Sequence, residues 1–218
     1  MIPNIFIENW SNHVKWQTPA QIEQDLIISR ALVDLYNDPY IKDALVFRGG
    51  TALNKLFINP PSRYSEDIDF VQKNADPIGP TINAIREVLK PWLGDPKWKI
   101  TQRSAKLIYK YESINKSSSK LKIEINTTEH FQVLPLKKVP FSMDSDWFKG
   151  TADIITYEMD ELMATKLRAL YQRRKGRDLF DVWYVADRKL INLNRVFDIF
   201  AKYCTYNNVK ITGEEFLK

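Results

Sequence analysis

The spacing of apolar residues predicts alternating helices and strands in the first half of the chain. Residues Thr18–Gln21 form a capping box, with a hydroxyl N-cap, proline at the first helical position and glutamine three residues after the cap. Apolar side chains then recur every three or four residues, which predicts a helix over residues 19–36 that ends before Asp38-Pro39. A short apolar run at Ala44–Phe47 predicts a buried strand, and alternation at Asp67–Val71 predicts a strand with one face toward the core.

The remaining pattern divides the chain into two regions. Helical composition at residues 52–57 and 80–89 is followed by three predicted strands, at Trp98–Gln102, Leu107–Glu112 and Leu121–Asn126. This order predicts a mixed α/β sheet flanked by helices. Later in the chain the three-and-four spacing predicts further helices, at Glu158–Arg174, Asp178–Lys189 and Asn194–Tyr203. We therefore predict an α/β core in residues 1–150 and a C-terminal helical subdomain in residues 151–218.

Composition excludes several classes of protein. The 218 residues are 44% hydrophobic and 12% aromatic, which excludes a disordered chain. Cys204 is the only cysteine, and His13 and His130 are far apart, so disulfide scaffolds and His/Cys metal sites are excluded. The N-terminus lacks the basic region of a signal peptide, and no apolar stretch approaches the ~20 residues that span a bilayer. We expect a cytoplasmic protein without a membrane partner. Its net charge of +5 permits a polyanionic partner without requiring one.

The first candidate site is the junction between the strand ending at Phe47 and the next helix. Gly49 and Gly50 allow a tight turn and close approach of a ligand, and the following helix presents free N–H groups to a phosphate. Glycines also end strands for purely conformational reasons. The junction therefore predicts a phosphate site only in combination with other residues.

The second candidate is an acidic pair. Asp67 and Asp69 lie two apart on a predicted strand, so both carboxylates project from one face. Such a pair is stable when it is solvated or bridged by a cation, and Mg²⁺ prefers oxygen ligands. The alternative is the solvated face of an edge strand. Asp144-Ser145-Asp146 has the same spacing without a strand pattern or a preceding glycine turn, so the spacing alone means little.

A third carboxylate lies on another predicted strand. Leu121–Asn126 alternates, with Lys122, Glu124 and Asn126 on its polar face. If this strand pairs beside the Asp67 strand, Glu124 joins the two aspartates. Three carboxylates around one or two metal ions suit phosphoryl or nucleotidyl transfer. The alternative is an amphipathic strand with a Lys–Glu surface.

The C-terminal region carries a second constellation. Lys166 lies on an apolar helical stripe, where its ammonium needs a partner such as a substrate phosphate. A dense basic cluster follows and suits a triphosphate or an RNA backbone, although it also suits a solvated helix end: Arg173, Arg174, Lys175 and Arg177. Asp178 and Asp181 begin the next helix, where capping is their default role.

Together these segments resemble the AbiEii/AbiGii nucleotidyltransferase toxins, a branch of the polymerase-β-like superfamily that includes the MenT toxins. The similarity covers most of residues 44–185 and is carried by four segments: Phe47–Leu53 (FRGGTAL), Arg63–Phe70 (RYSEDIDF), Glu161–Leu170 (ELMATKLRAL) and Arg173–Val182 (RRKGRDLFDV).

The resemblance implies a function for each segment. It implies that Gly49, Gly50 and Thr51 hold the nucleotide phosphates and that Asp67 and Asp69 bind metal. It further implies nucleotide contact from Lys166, supported by Arg177 and either Asp178 or Asp181. The superfamily loop usually reads Gly-Ser, so here the hydroxyl contact passes to Thr51 or is lost.

We therefore predict a Mg²⁺-dependent nucleotidyltransferase, with Mn²⁺ as the alternative ion. It would transfer a nucleoside monophosphate (NMP) from a nucleoside triphosphate (NTP) to an acceptor hydroxyl. By resemblance the acceptor is RNA, at the 3′ end of tRNA, and the protein is a toxin with a cognate antitoxin. Glu124 would complete the site or act as base. Two alternatives remain, a metal-dependent glycosyltransferase with the same acidic pair and a non-catalytic RNA- or protein-binding module.

Overall fold

The helices and strands that the hydrophobic pattern predicts occur in the predicted order, with further elements between them. The structure is a computed structural model that describes residues 2–209 and 211. The helices are α1 (Asn4–Trp10), α2 (Pro19–Asn37), α3 (Pro39–Ala44), α4 (Gly49–Leu56), α5 (Ile78–Leu93), α6 (Met159–Arg173), α7 (Gly176–Asp187) and α8 (Leu193–Tyr206). The strands are β1 (Leu45–Arg48), β2 (Asp67–Gln72), β3 (Lys97–Ile100), β4 (Ser104–Glu112), β5 (Ser118–Asn126), β6 (Lys137–Asp144) and β7 (Lys149–Thr156).

The strands form one mixed sheet in the order β3-β4-β5-β2-β1-β7-β6. The central strand β2 is antiparallel to β1 and parallel to β5, while β1 is parallel to β7. Helices α2, α4 and α5 pack against its strands. The predicted fold class, a mixed α/β sheet flanked by helices, is confirmed.

Helix α2 begins at the predicted capping box. The Thr18 hydroxyl accepts a hydrogen bond from the Gln21 backbone at 3.3 Å, and the Gln21 side chain accepts one from the Thr18 backbone at 3.3 Å. The apolar stripe of α2 then enters a core that it shares with alternate residues of the strands. That core includes Leu26, Leu32, Ile68, Phe70, Ile123 and Ile125. Because β-strand side chains alternate, burial of Ile68 and Phe70 turns Asp67 and Asp69 to the other face of the sheet.

Four elements were not predicted from the sequence: α1, α3, β6 and β7. Strand β6 lies at an edge of the sheet, where charged residues and Pro140 are tolerated, so its hydrophobic alternation is weak. The interpretation of Asp144–Asp146 as lacking strand structure is wrong in part. Asp144 is the last residue of β6, and it pairs with Lys149 at the hairpin turn into β7.

The chain divides into two compact units. Unit 1 consists of Met1–Phe131 and Lys137–Thr156 and contains the sheet, and unit 2 consists of Gln132–Leu136 and Tyr157–Lys218 and contains α6, α7 and α8. Residue 150, the predicted boundary, falls within β7. The assignment of separate functions to two domains stays a prediction.

A buried carboxylate organises unit 2. Glu161 on α6 is fully buried and accepts hydrogen bonds from the backbone N–H groups of Val133 at 2.7 Å and Leu134 at 2.8 Å. It also accepts one from the Tyr203 hydroxyl of α8 at 2.8 Å. One side chain therefore joins two helices to a segment that precedes them by more than 20 residues.

No helix in the described part of the chain is long and apolar enough to cross a membrane. This agrees with the absence of long apolar runs in the sequence.

Substituting Glu161 with Gln tests this arrangement. The amide offers one acceptor oxygen and places an NH₂ group against donors, so we expect a loss of about 2–4 kcal/mol in the free energy of unfolding. Urea denaturation followed by circular dichroism measures it. Tyr203→Phe is the matched control and removes one of the three bonds, for a loss of about 1 kcal/mol. Equal losses in both variants would contradict the proposed importance of the carboxylate.

Candidate active site

The chain turns from β1 into α4 without an intervening loop. The turn occurs at Gly49, whose φ of +85° is unfavourable for residues with a side chain. A Cβ atom at this position would lie 2.6 Å from Oδ2 of Asp69. The missing side chain therefore lets the backbone of the bend pack directly against the Asp69 carboxylate.

Strand register places Asp69 beneath this bend. Arg48, the last residue of β1, pairs with Asp69 on the antiparallel strand β2. Asp67 lies two residues earlier on the same face of β2. The structure thus brings together the bend and both aspartates, as the sequence predicts.

Glu124 also lies on this face. Strand β5 runs parallel to β2 and pairs Glu124 with Asp69 and Lys122 with Asp67. The prediction that Glu124 joins the two aspartates depended on pairing of these two strands, and the strands are paired. Three carboxylates project from neighbouring positions of two central strands.

Two lysines pair with these carboxylates. Lys122 Nζ lies 2.6 Å from Asp67 Oδ2 and 3.7 Å from Glu124 Oε2, and Lys106 Nζ lies 3.1 Å from Glu124 Oε1. Burial lowers the pKa of Lys122, but the hydrogen bond from Lys122 to Asp67 and the charges of the three carboxylates outweigh burial and raise it. Within residues 2–209 and 211, no group of three or more His, Cys, Asp or Glu side chains has the arrangement of a formed metal site.

The Asp69 carboxyl lies among both acidic and basic groups of the site. Burial raises the pKa of its carboxyl, and the charges of Asp67 and Glu124 raise it further, against the opposing charges of Arg48 and Lys122. Arg48 is itself held by Glu129, with 2.9 Å between Nη1 and Oε2. A divalent cation beside Asp69 would favour its ionised form.

The Thr51 hydroxyl makes hydrogen bonds within the protein. Thr51 is 1% exposed, and its hydroxyl donates to the backbone carbonyl of Asp67 at 2.5 Å and lies 2.8 Å from the Ser65 hydroxyl. This side chain joins the first turn of α4 to the start of β2. The Thr51 hydroxyl is therefore occupied by partners within the fold.

The segment before β2 supports the bend, a role that was not predicted from the sequence for Asn54, Ser62 or Arg63. Asn54 Oδ1 accepts from the backbone N–H of Ser62 at 2.8 Å and of Arg63 at 3.3 Å, and Asn54 Nδ2 donates to the Gly50 carbonyl at 2.9 Å. A Cβ at Gly50 would collide with the Arg63 guanidinium. The second glycine therefore leaves room for an arginine beside the first turn of α4.

Unit 2 contains its own ion-pair cluster. Lys166 is almost fully buried, and its Nζ lies 2.8 Å from Asp181 Oδ2 and 3.2 Å from Asp178 Oδ1. Arg173 binds the same Asp178 carboxylate twice, with Nε 2.7 Å from Oδ2 and Nη2 2.9 Å from Oδ1. The partner that the Lys166 ammonium needs is therefore supplied by this pair of aspartates.

The capping interpretation of these aspartates is wrong. Lys175 is the N-cap of α7, and no side chain makes a capping bond there. Asp178 lies in the first turn, but its carboxylate binds Lys166 and Arg173 instead. Burial raises the pKa of Asp178, yet these hydrogen bonds and charges prevail and lower it below the usual value of 3.8. Arg177, by contrast, is exposed.

Comparison with known families identifies the chain. The family model described as nucleotidyl transferase AbiEii toxin, Type IV TA system, matches residues 30–217. The chain belongs to this AbiEii family. Its membership confirms the resemblance carried by the four sequence segments and makes it a nucleotidyltransferase of a type IV toxin–antitoxin system. The family implies an NTP substrate, an antitoxin partner and, in general, a divalent metal.

Solved structures share the fold. The MenT4 nucleotidyltransferase toxin of Mycobacterium tuberculosis superposes with a TM-score of 0.66 at 18% identity, covering 92% of this chain and 69% of MenT4. JHP933 of Helicobacter pylori superposes with a TM-score of 0.57 at 20% identity, covering 92% of this chain and 88% of JHP933. No curated protein gives a significant match to the sequence. At these identities the structures support the fold of an AbiEii-family protein and not its substrate.

Gly49→Ala tests the packing of the bend against Asp69. The new methyl group combines an unfavourable φ with a clash against the carboxylate, so we expect unfolding free energy to fall by about 1–3 kcal/mol. Gly79→Ala is the matched control, because nothing lies within 4 Å of its added Cβ and φ is not positive. Its stability should be unchanged or up to ~1 kcal/mol higher. Chemical denaturation measures both, and equal effects would refute the close contact.

Asp178→Asn tests the cluster of unit 2. Because the folded pKa of Asp178 is lowered, its stabilising effect is present above the unfolded value and is lost as pH falls below it. We expect the variant to lose about 3 kcal/mol at pH 7, near the lower limit for breaking a buried pair, since Asp181 still binds Lys166.

The acid dependence provides the second measurement. Between pH 6 and pH 3 the wild type should lose more unfolding free energy than Asp178→Asn, because the variant lacks this titrating group. Asp187→Asn, at an exposed position of the same helix, should behave like the wild type at both pH values. Parallel acid profiles for wild type and Asp178→Asn would contradict the assignment.

Proposed function

We propose that this AbiEii-family protein transfers an NMP from an NTP to an acceptor hydroxyl and releases pyrophosphate. The observation that carries the proposal is the contact between the Gly49 bend and Asp69, with Asp67 and Glu124 on the same face. A phosphate-binding bend and acidic metal ligands are the two components that nucleotidyl transfer needs in one place.

The residues present fit a divalent cation. Asp67 and Asp69 would hold it, because their carboxylate oxygens are ligands that Mg²⁺ and Mn²⁺ prefer. The ammonium of Lys122, 2.6 Å from Asp67, supports the proposal that this carboxylate binds a cation. When bound, the ion would neutralise triphosphate charge and lower the pKa of the attacking hydroxyl.

The chain supplies phosphate contacts at the start of α4. Arg48 is the N-cap of α4 and makes no capping bond through its side chain, which binds Glu129 instead. The backbone N–H groups of Gly49, Gly50 and Thr51 are then the donors that we assign to the phosphates. Arg63, beside Gly50, adds positive charge next to them.

The transfer itself breaks one bond and forms one. The acceptor oxygen attacks the α-phosphorus, the bond from that phosphorus to the bridging oxygen breaks, and pyrophosphate leaves with its electron pair. We assign Glu124 to complete the carboxylate set or to accept the proton of the acceptor hydroxyl. Its pairing beside Asp69 supports either assignment.

The basic residues around the turn from α6 to α7 support a polyanionic substrate. Arg177, the second residue of α7, is exposed, so its guanidinium is accessible to nucleotide or RNA. A contact from Lys166 would require its ammonium to leave Asp178 or Asp181, whose proposed function is to support that motif. We propose RNA, at the 3′ end of tRNA, as the acceptor and growth arrest as the result, with an antitoxin as the partner. The toxin family to which the chain belongs supports this proposal.

The alternatives explain fewer observations. A glycosyltransferase with an acidic pair has no need of the bend against Asp69, and the chain belongs to a nucleotidyltransferase family. A non-catalytic binding module would tolerate loss of both aspartates, which the following experiment measures.

Asp67→Asn/Asp69→Asn should reduce transfer at least ~100-fold, because neutral amides bind a divalent cation much more weakly than carboxylates do. The assay incubates purified protein with each radiolabelled NTP, Mg²⁺ and total RNA. It thereby identifies the donor, the acceptor and the metal requirement together.

The chain contains a matched control pair. Asp144→Asn/Asp146→Asn removes the same two charges at the same spacing from the exposed β6–β7 hairpin and should leave transfer unchanged. Undiminished RNA labelling by a folded Asp67→Asn/Asp69→Asn protein would overturn the proposed function.

A further inference from the structure

Lys122 lies between the acids on the face of the sheet that carries Asp67, Asp69 and Glu124. Its Nζ lies 2.6 Å from Asp67 Oδ2 and 3.7 Å from Glu124 Oε2, so one ammonium group bridges an acid on β2 and an acid on β5. Its side chain is 28% exposed. The ammonium is therefore partly removed from water.

The sheet holds Lys122 in this position. Parallel pairing of β2 with β5 sets Lys122 directly opposite Asp67, and the register extends over five residue pairs of these strands. Lys106 of β4 pairs with Glu124 from the other side. Lys122 therefore faces Asp67 because of backbone register, whereas a surface lysine reaches its partner by side-chain flexibility alone.

The charges of the site nearly balance without a metal. Four acids, which are Asp67, Asp69, Glu124 and the Arg48 partner Glu129, face three basic groups, which are Arg48, Lys106 and Lys122. A divalent cation added to this set would give a positive site, which suits a triphosphate.

An ammonium and a divalent ion compete for one carboxylate oxygen. Mg²⁺ binds carboxylate oxygen at about 2.1 Å. The ammonium of Lys122 is already in hydrogen-bonding contact with Asp67 Oδ2. An ion coordinated by that oxygen would lie close to the ammonium and repel it, so coordination weakens the ion pair and favours displacement of the ammonium.

We propose that Lys122 is an internal counter-ion of the metal site, which holds Asp67 and Glu124 in place until a divalent cation displaces it. This inference rests on the proposed function, because it takes Asp67 as a metal ligand. Metal binding is then an exchange of cations, and its apparent affinity is reduced by the ion pair that must break.

The exchange also couples metal to nucleotide. A displaced Lys122 stays on the same face of the sheet as the three acids, where the phosphates of an NTP would offer it a new partner. Nucleotide therefore strengthens metal binding in the wild type partly through Lys122. By thermodynamic linkage, metal strengthens nucleotide binding by the same factor.

Substitution of Lys122 distinguishes a counter-ion that metal displaces from an ion pair that only stabilises the fold. Mn²⁺ binding to the purified protein is measured by electron paramagnetic resonance, without nucleotide, for wild type, Lys122→Met and Lys120→Met. Lys120 is the matched control, because it lies two residues earlier on the same face of β5 and is exposed. We expect Lys122→Met to bind Mn²⁺ about 3- to 10-fold more tightly than the wild type, because it lacks the half-buried ion pair that competes with the metal for Asp67. Lys120→Met should bind Mn²⁺ as the wild type does.

Thermal unfolding provides an independent readout. Without metal, Lys122→Met should melt at a lower temperature than Lys120→Met, because Asp67 and Glu124 then repel each other. Added Mn²⁺ should raise the melting temperature of Lys122→Met more than that of the wild type. Lys122→Gln, which keeps a polar group and loses the charge, replaces Lys122→Met if the latter does not fold.

The outcomes distinguish this inference from the proposed function. In the first outcome, Asp67→Asn abolishes the Mn²⁺ binding of the wild type, but the neutral Lys122 variants bind Mn²⁺ no more tightly than the wild type. That outcome would overturn the counter-ion inference alone. Wild-type Mn²⁺ binding that Asp67→Asn does not reduce would overturn both the inference and the metal site on which it rests.

Discussion

The candidate site depends on the absence of a side chain at residue 49. The chain passes from β1 into α4 within one residue, and the positive φ of Gly49 lets the first turn of the helix contact Asp69. A side chain there would separate the helix N-terminus from the carboxylates by about the thickness of a methyl group. Because α4 packs on β2 and β1, the same bend fixes the position of the helix on the sheet. The proposed phosphate donors and the proposed metal ligands are therefore positioned by a single backbone conformation.

The sequence predicted the local parts of this arrangement well. The capping box of α2, the alternation of Asp67–Val71 and the polar face of Leu121–Asn126 depend on neighbouring residues and were visible in the pattern. The pairing of β2 with β5 was not visible in the sequence, because no short-range signal specifies which strands become neighbours. The strand β6 was missed since edge strands carry charges and proline where central strands carry apolar residues.

Side-chain partners were the least predictable part. Lys122 and Lys106 look like the polar surface of a strand in the sequence, and only the register shows that they face acids of the site. Lys166 needed a partner by its position on an apolar stripe, and the sequence could not decide between a ligand and Asp178 with Asp181. For the hydroxyl of Thr51 the sequence left open whether it contacts a phosphate, and in the structure it donates to the backbone carbonyl of Asp67. In each case, long-range packing determines the partner.

The path of the backbone through the two units has a practical consequence. Residues 132–136 belong with the C-terminal helices, although the strands before and after them belong to the sheet. The polypeptide therefore passes from one unit to the other three times, and no single cut separates them. A fragment ending at Thr156 would keep the amides of Val133 and Leu134 but lose the carboxylate that accepts their hydrogen bonds. The unit that contains the C-terminal helices therefore also needs residues 132–136, and a cut at Thr156 does not reproduce it.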